Sequence, residues 1–264
     1  MIFDSHCHPQ MTQYDKDREE VIKRALDESV FMICVGTNLK TSRQAVELVQ
    51  KYEGMWAMVG LHPNEVFTGE FIASAYTEII NQPKVVAVGE VGLDYYRTPE
   101  PEKQEIQKKV FGQFVDLAVK HKKPLIIHCR DSKTGSVGLA HRDLIEILNT
   151  KYLIHNTDLK GVVHSFTGTF DEARQFLDLG LYLGFNGIIT FARQYDEIVR
   201  EVPLERILLE TDAPYLTPEP YRGKRNEPSY VIEVAKKLAE LKNEPLEKVI
   251  EQTTKNCKKL FNLL

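Results

Sequence analysis

Eight short apolar runs, separated by longer amphipathic stretches, constrain this chain more than any other feature. The runs are Ile2–His6, Phe31–Val35, Met55–Gly60, Val85–Glu90, Leu125–His128, Gly161–His164, Leu181–Phe185 and Ile207–Glu210. They are rich in Val, Ile and Leu with little polar alternation, the pattern of parallel strands covered on both faces. Helical stretches lie between them at Asp17–Ser29, Leu39–Lys51, Phe71–Asn81, Pro101–His121, His141–Thr150, Asp171–Leu179 and Gln194–Glu201. Pro228–Lys242 and Leu246–Leu263 follow the last run. Strands alternating with helices make βαβ units with right-handed crossovers. Eight such units predict an α/β fold, a (β/α)8 TIM barrel with an additional C-terminal helix. An open doubly wound sheet is the competitor, but no GxGxxG turn follows the first run. The 264 residues suit one barrel, and no linker or low-complexity stretch divides them, so 1–264 reads as a single domain. The segment Arg130–Val137 reads as part of a long loop after the fifth run, and Asp212–Arg225 as another after the eighth.

In such a barrel the C-terminal strand ends form one rim, and active sites are built there. Polar residues collect at those ends. Asp4, His6 and His8 share one face of the first run by alternation, with Cys7 on the other. Two imidazoles two residues apart can grip one ion, or can be a surface pair near a terminus. Glu90, His128 and His164 end the fourth, fifth and sixth runs, and Asp212 lies just past the eighth. One such group could be a satisfied core residue. Five segments bringing imidazoles and carboxylates to one rim point to metal, because unpaired buried charge is costly.

The formal net charge of −4 argues against a general duplex-binding protein, which would carry a strongly basic face. A nucleic-acid enzyme with a small positive site remains open. The four cysteines, Cys7, Cys34, Cys129 and Cys257, form no CxxC pair. The chain shows no leader-like N-terminus and no apolar run of membrane-spanning length. These features are read as a cytoplasmic, reducing setting with no membrane contact and no evident stable protein partner.

The ligand set, two histidines from the first strand and single residues from the fourth, fifth, sixth and eighth, resembles the amidohydrolase superfamily. Glu90 stands where many dinuclear members carry a modified lysine. More specifically, the chain resembles the TatD family of metal-dependent deoxyribonucleases. The motifs are Phe3-Asp4-Ser5-His6-Cys7-His8, Gly60-Leu61-His62-Pro63, Gly89-Glu90-Val91-Gly92-Leu93-Asp94, His128-Cys129-Arg130, His164-Ser165-Phe166-Thr167-Gly168, Glu210-Thr211-Asp212-Ala213-Pro214 and Arg225-Asn226-Glu227-Pro228. Two departures are a longer segment between His128 and His164, and Ser165 where cysteine is common.

The resemblance implies a phosphodiesterase acting on DNA, at ends or in single strands, with two divalent metal ions. Zinc, manganese, magnesium and iron all suit the donors. Glu90 would bridge, with His6, His8 and Asp212 on one ion and His128 and His164 on the other. Asp212 would also activate water. Arg130 shares a face with His128 and can fork onto a phosphate, or can pair structurally with Asp94 or Glu210. His62 can donate to phosphate or cap its own loop. Arg225, in the RNEP motif, is expected at a helix start where anions bind. Arg222 and Lys224, beside Tyr215 and Tyr221, suit a single strand or a solvated loop equally. Glu210 is a supporting partner behind the ligands. His121, His141 and His155 read as surface residues. Alternative readings are a hydrolase of a small ester or amide, a deacylase acting on a nucleic-acid adduct, or a non-catalytic binding module.

Overall fold

Eight parallel strands follow one another around the sheet in chain order, each hydrogen-bonded to the next. They are β1 (Ile2–Cys7), β2 (Val30–Val35), β3 (Met55–Val59), β4 (Val85–Asp94), β5 (Leu125–Arg130), β6 (Gly161–Val163), β7 (Tyr182–Phe185) and β8 (Ile207–Leu209). This is the order of a (β/α)8 barrel, here in a computed structural model that describes residues 1–67, 73–132, 139–156 and 159–263. The start of the expected third helix (71–72) and most of the loop after β5 (133–137) lie outside the described residues. The intervening helices are α1 (Arg18–Asp27), α2 (Leu39–Val49), α3 (Ala73–Ile80), α4 (Pro101–His121), α5 (Leu139–His155), α6 (Phe170–Asp178) and α7 (Asp196–Glu201). Two more, α8 (Val231–Lys242) and α9 (Leu246–Phe261), follow β8. Among the described residues no helix is long and apolar enough to cross a membrane.

The apolar residues divide into two layers. Phe3, Ile33, Met58, Ala87, Ile126, Val162, Tyr182 and Leu208, one from each strand, pack inside the barrel, where Cys257, Leu260 and Phe261 of α9 join them. Thus the additional C-terminal helix plugs one end. The residues of opposite parity, such as Cys34, Ala57, Val88, Ile127, Val163 and Leu209, pack outward against the helices. Burial on both faces explains the unbroken apolar runs.

The seam between β8 and β1 is closed by side chain and backbone together. The Asp212 amide donates to the His6 carbonyl at 2.9 Å. Asp4, fully buried, accepts from the Thr211 amide at 2.9 Å and the Thr211 hydroxyl at 2.6 Å. Burial pushes the Asp4 carboxyl up to about 7 in spite of these bonds. Asp4 therefore ties the two strands that carry His6, His8 and Asp212.

Candidate metal centre

Strand alternation carries several of the expected residues directly into the barrel mouth. Two residues beyond interior Ile126 comes His128, and two beyond Val162 comes His164. Leu208 leads in the same way to Glu210 and Asp212. Glu90 and His6 are different. Counting by twos from interior Ala87 and Phe3 would turn both outward. The register shifts between Val88 and Val91 on β4, and between Asp4 and Cys7 on β1, reverse that parity. Such irregularities re-aim side chains beside functional sites.

Glu90 lies at the centre and is 3% exposed. Its Oε2 is 3.5 Å from His6 Nε2. Its Oε1 is 2.8 Å from His128 Nδ1, 3.5 Å from His62 Nε2 and 3.7 Å from His164 Nε2. Burial would raise its carboxyl, but His62, His128 and His6 hold it far below the ordinary carboxylate range. Asp212 Oδ1 lies 3.4 Å from His8 Nε2 and 3.8 Å from His6 Nε2. The His164 ring stacks on His6 with centroids 3.6 Å apart, and its centroid is 6.2 Å from that of His128. His164 therefore stands beside the His6–Asp212 set as well as beside Glu90, rather than with His128 alone.

Whether metal fits here can be judged from the nitrogens. Both nitrogens of His6 are buried without a hydrogen-bond partner, a costly state for an imidazole that holds no ion. His8 Nδ1 is 2.8 Å from the Val35 carbonyl, which can only accept, so the neutral ring keeps its proton there. Its Nε2 lone pair then faces the Asp212 carboxylate, an arrangement that a cation relieves. His164 Nδ1 lies 2.9 Å from Glu210 Oε1, an ion-pair contact, and its Nε2 faces Glu90. Burial opposes its imidazolium, yet Glu210, Glu90 and Asp212 raise it to about 10. A histidine that ligates metal does so as the neutral ring, so these carboxylates and a metal ion compete for the same His164 ring. His128 is held between two carboxylates, with Nε2 3.5 Å from Asp94 Oδ2. The donor set fits divalent metal ions.

His62 has the opposite tautomer. The Asn64 amide donates to its Nδ1 at 3.1 Å, which places the ring proton on Nε2. Burial drives its imidazolium down to about 3, so the ring is neutral. His62 can donate from Nε2 but offers no lone pair there, which suits a substrate contact better than a ligand.

The site opens into a cavity of about 610 Å³ lined by His8, His62, Glu90, His128, Arg130, His164, Asp212 and Tyr215, among others. Arg130 stacks 3.9 Å over the Tyr96 ring. Among the described residues Asp94 pairs with His128 and Arg97, and Glu210 with His164, so neither serves as a structural partner for Arg130.

Arg225 requires a correction, because the structure does not bring it to the cavity. Its guanidinium grips Asp17 at 2.6 and 2.8 Å, donates to the Gln13 carbonyl at 2.8 Å and covers the Tyr14 ring. It anchors the loop after β8 to the start of α1. Asn226 donates to the Thr211 and Tyr215 carbonyls, so this part of the RNEP motif shapes the loop behind Asp212. Arg222 is likewise held, donating to the Thr217 carbonyl and lying over Phe191. His141, expected at the surface, is 2% exposed.

Several contributing residues were not singled out from sequence. Asp94 closes the same strand as Glu90 and takes bonds from the Asn64 amide group and the Arg97 backbone. Its place four residues after Glu90, at the end of the GEVGLD motif, was the available signal. Asn186 donates to Glu210 at 3.3 Å, and no local pattern marks it. Gly184 makes room for Glu210, because a Cβ there would stand 2.5 Å from Glu210 Oε2.

Known proteins resemble this chain in sequence, and solved structures resemble it in fold. The chain is 40% identical over 268 residues to the uncharacterized metal-dependent hydrolase YabD of Bacillus subtilis (strain 168), with 100% of each covered. It is 33% identical over 272 residues to the 3'-5' ssDNA/RNA exonuclease TatD of Klebsiella pneumoniae (strain 342), covering 99% of this chain and 98% of that one. The crystal structure of YJJV, a TatD homolog from Escherichia coli K12, superposes with a TM-score of 0.86 at 28% identity, covering 100% of this chain and 98% of that one. Residues 3–262 match the model of the TatD related DNase family, and the chain belongs to that family of metal-dependent hydrolases.

Proposed function

We propose that this hydrolase cleaves phosphodiester bonds of DNA, at ends or in single strands, with two divalent ions held by His6, His8, Glu90, His128, His164 and Asp212. The observation that carries the reading is Glu90, whose two oxygens face different histidines, Oε2 toward His6 and Oε1 toward His128. A carboxylate so placed suits a bridge. Bound there, zinc, manganese, magnesium or iron would polarise a phosphoryl oxygen and lower the pKa of a water.

The chain's own groups do the rest. His8, His164 and His6 keep the Asp212 carboxyl below its ordinary range against the opposing effect of burial. Asp212 is thus ionised at the cavity wall and takes the proton of the attacking water. His62 presents Nε2–H to a phosphate oxygen. Arg130 adds a fixed charge and a forked pair of donors, its plane restricted by Tyr96. Tyr215, 48% exposed at the mouth, offers a ring face to an unpaired base. The printed name of the Klebsiella relative supports a nucleic-acid substrate. Four free, buried cysteines accord with a cytoplasmic location.

The test is a panel of metal-reconstituted protein against single-stranded and duplex oligonucleotides, a carboxylic ester and an amide. Turnover of oligonucleotide ends well above the neutral substrates is expected. Turnover confined to ester or amide, whichever metal is supplied, would replace the nuclease reading with the deacylase or amidase one.

A further inference from the structure

The cavity at the barrel mouth has two unlike sides. Met11, Ile188, Tyr195, Tyr215 and Leu216, from the connections after β1, β7 and β8, line one of them. His62, Asn64, Glu65, Arg97 and Arg130, from the ends of β3, β4 and β5, line the other. The strand order sets these two groups across the mouth from one another. Among the described lining residues only Arg97 and Arg130 carry a permanent positive charge. A single strand laid in this mouth has its phosphates toward the arginines and its bases toward the apolar and aromatic side. Arg130 and His62 are already given to the phosphate under attack, which leaves Arg97 without a role.

The backbone that carries Arg97 is firmly placed. Its amide donates to Asp94 Oδ1 at 3.0 Å, and the Thr98 amide donates to the Asp94 carbonyl at 3.1 Å. Asp94 is fully buried and is the register partner of Arg130 across the β4–β5 ladder, so both arginines spring from one part of the rim. The Arg97 side chain is nevertheless 59% exposed. Its guanidinium comes only within 4.0 Å of Asp94 Oδ2, beyond hydrogen-bonding reach, and that oxygen already accepts from the Asn64 side chain at 3.0 Å. Glu65 takes the Asn38 side-chain amide at 3.4 Å and forms no ion pair with Arg97. Burial first, and then the charges of His128 and Arg97, hold the His62 imidazolium down, which sets Arg97 beside the same phosphate-facing ring. A planar fork of donors on a fixed backbone, open toward the cavity, is suited to a phosphate. We propose that Arg97 grips the phosphate next to the scissile one, so that the enzyme favours substrates with two successive phosphates over those with one. This rests on the phosphodiesterase reading above and adds to it a residue that measures substrate length.

The test compares the metal-saturated parent, Arg97→Ala and Arg97→Lys on a thymidine dinucleotide, which holds one phosphate, and a thymidine trinucleotide, which holds two. The parent should prefer the trinucleotide. Arg97→Ala should lower kcat/KM toward the trinucleotide by roughly tenfold, the scale of one solvent-accessible charged hydrogen bond, and erase most of that preference. Its plot of log kcat/KM against log salt should become shallower by about 0.7, the value for one single-strand phosphate. Arg97→Lys keeps the charge and so should keep the parent's salt slope while losing part of the rate. Fluorescence anisotropy of a labelled trinucleotide with the metal-free proteins should show the same order of affinity without turnover. Equal losses on both substrates would make Arg97 a mere support of Asp94, and unchanged kinetics and binding would make it a solvated surface residue; either result overturns the proposal. A parent that hydrolyses a carboxylic ester but neither nucleotide would instead sink the phosphodiesterase reading, and this inference with it.

Discussion

Glu210→Gln removes one negative charge from the back of the metal centre while leaving its shape. Glu210 is 1% exposed, and its Oε1 meets His164 Nδ1 at 2.9 Å, the Ser165 amide at 2.7 Å and the Asn186 side chain at 3.3 Å. Glutamine can present its carbonyl oxygen to the same three groups, with its amide filling the space that Gly184 leaves. The fold should therefore survive. What is lost is the negative charge 2.9 Å from His164 Nδ1, which favours a proton there and so strengthens Nε2 as a donor to metal. Loss of a carboxylate behind a metal-bound histidine lowers metal affinity by roughly 10- to 100-fold. Each factor of ten corresponds to about 1.4 kcal/mol. Competition for zinc between the protein and a chromophoric chelator measures this directly, in parent and variant side by side. Most turnover should return when metal is raised to saturation, since no group facing substrate has changed. A variant that binds zinc within about twofold of the parent would refute the role given to Glu210.

Two further substitutions separate substrate contact from architecture. Arg130→Ala should lower kcat/KM toward an oligonucleotide by roughly a hundredfold, the scale of one lost charged transition-state contact, while barely affecting a neutral ester; equal losses on both substrates would remove Arg130 from phosphate recognition. Arg225→Ala should instead cost about 1 kcal/mol in urea unfolding, the range of a partly exposed ion pair, and leave kcat/KM within a few fold; a loss in turnover matching that of Arg130→Ala would return Arg225 to the site.

Most of the barrel was legible because each strand is buried on both faces, so its apolar run stands out against the amphipathic helices. Boundaries moved where the run and the ladder end differently. β4 continues past Glu90 to Asp94, while β6 and β8 stop at Val163 and Leu209, just before the polar residues at the rim. Alternation from Ile126, Val162 and Leu208 was enough to aim His128, His164 and Asp212. It could not aim Glu90, whose direction depends on a register shift against β5 that no local pattern encodes. The burial of His141 was hidden for a similar reason, since its carboxylate neighbours arrive from different connections. Arg225 was misread because its partner, Asp17, lies 208 residues away in the chain. A motif read by its own residues offers no sight of such a partner.

The central claim is that Glu90 is shared by two metal positions at the barrel mouth. Counting ions per chain in the parent and in Glu90→Gln, after dialysis against zinc and with folding checked by circular dichroism, tests it most directly. The account predicts that both ions at the mouth are weakened together and that oligonucleotide turnover is abolished, while the barrel stays folded. A folded variant that keeps the parent's ion count and its turnover would contradict it.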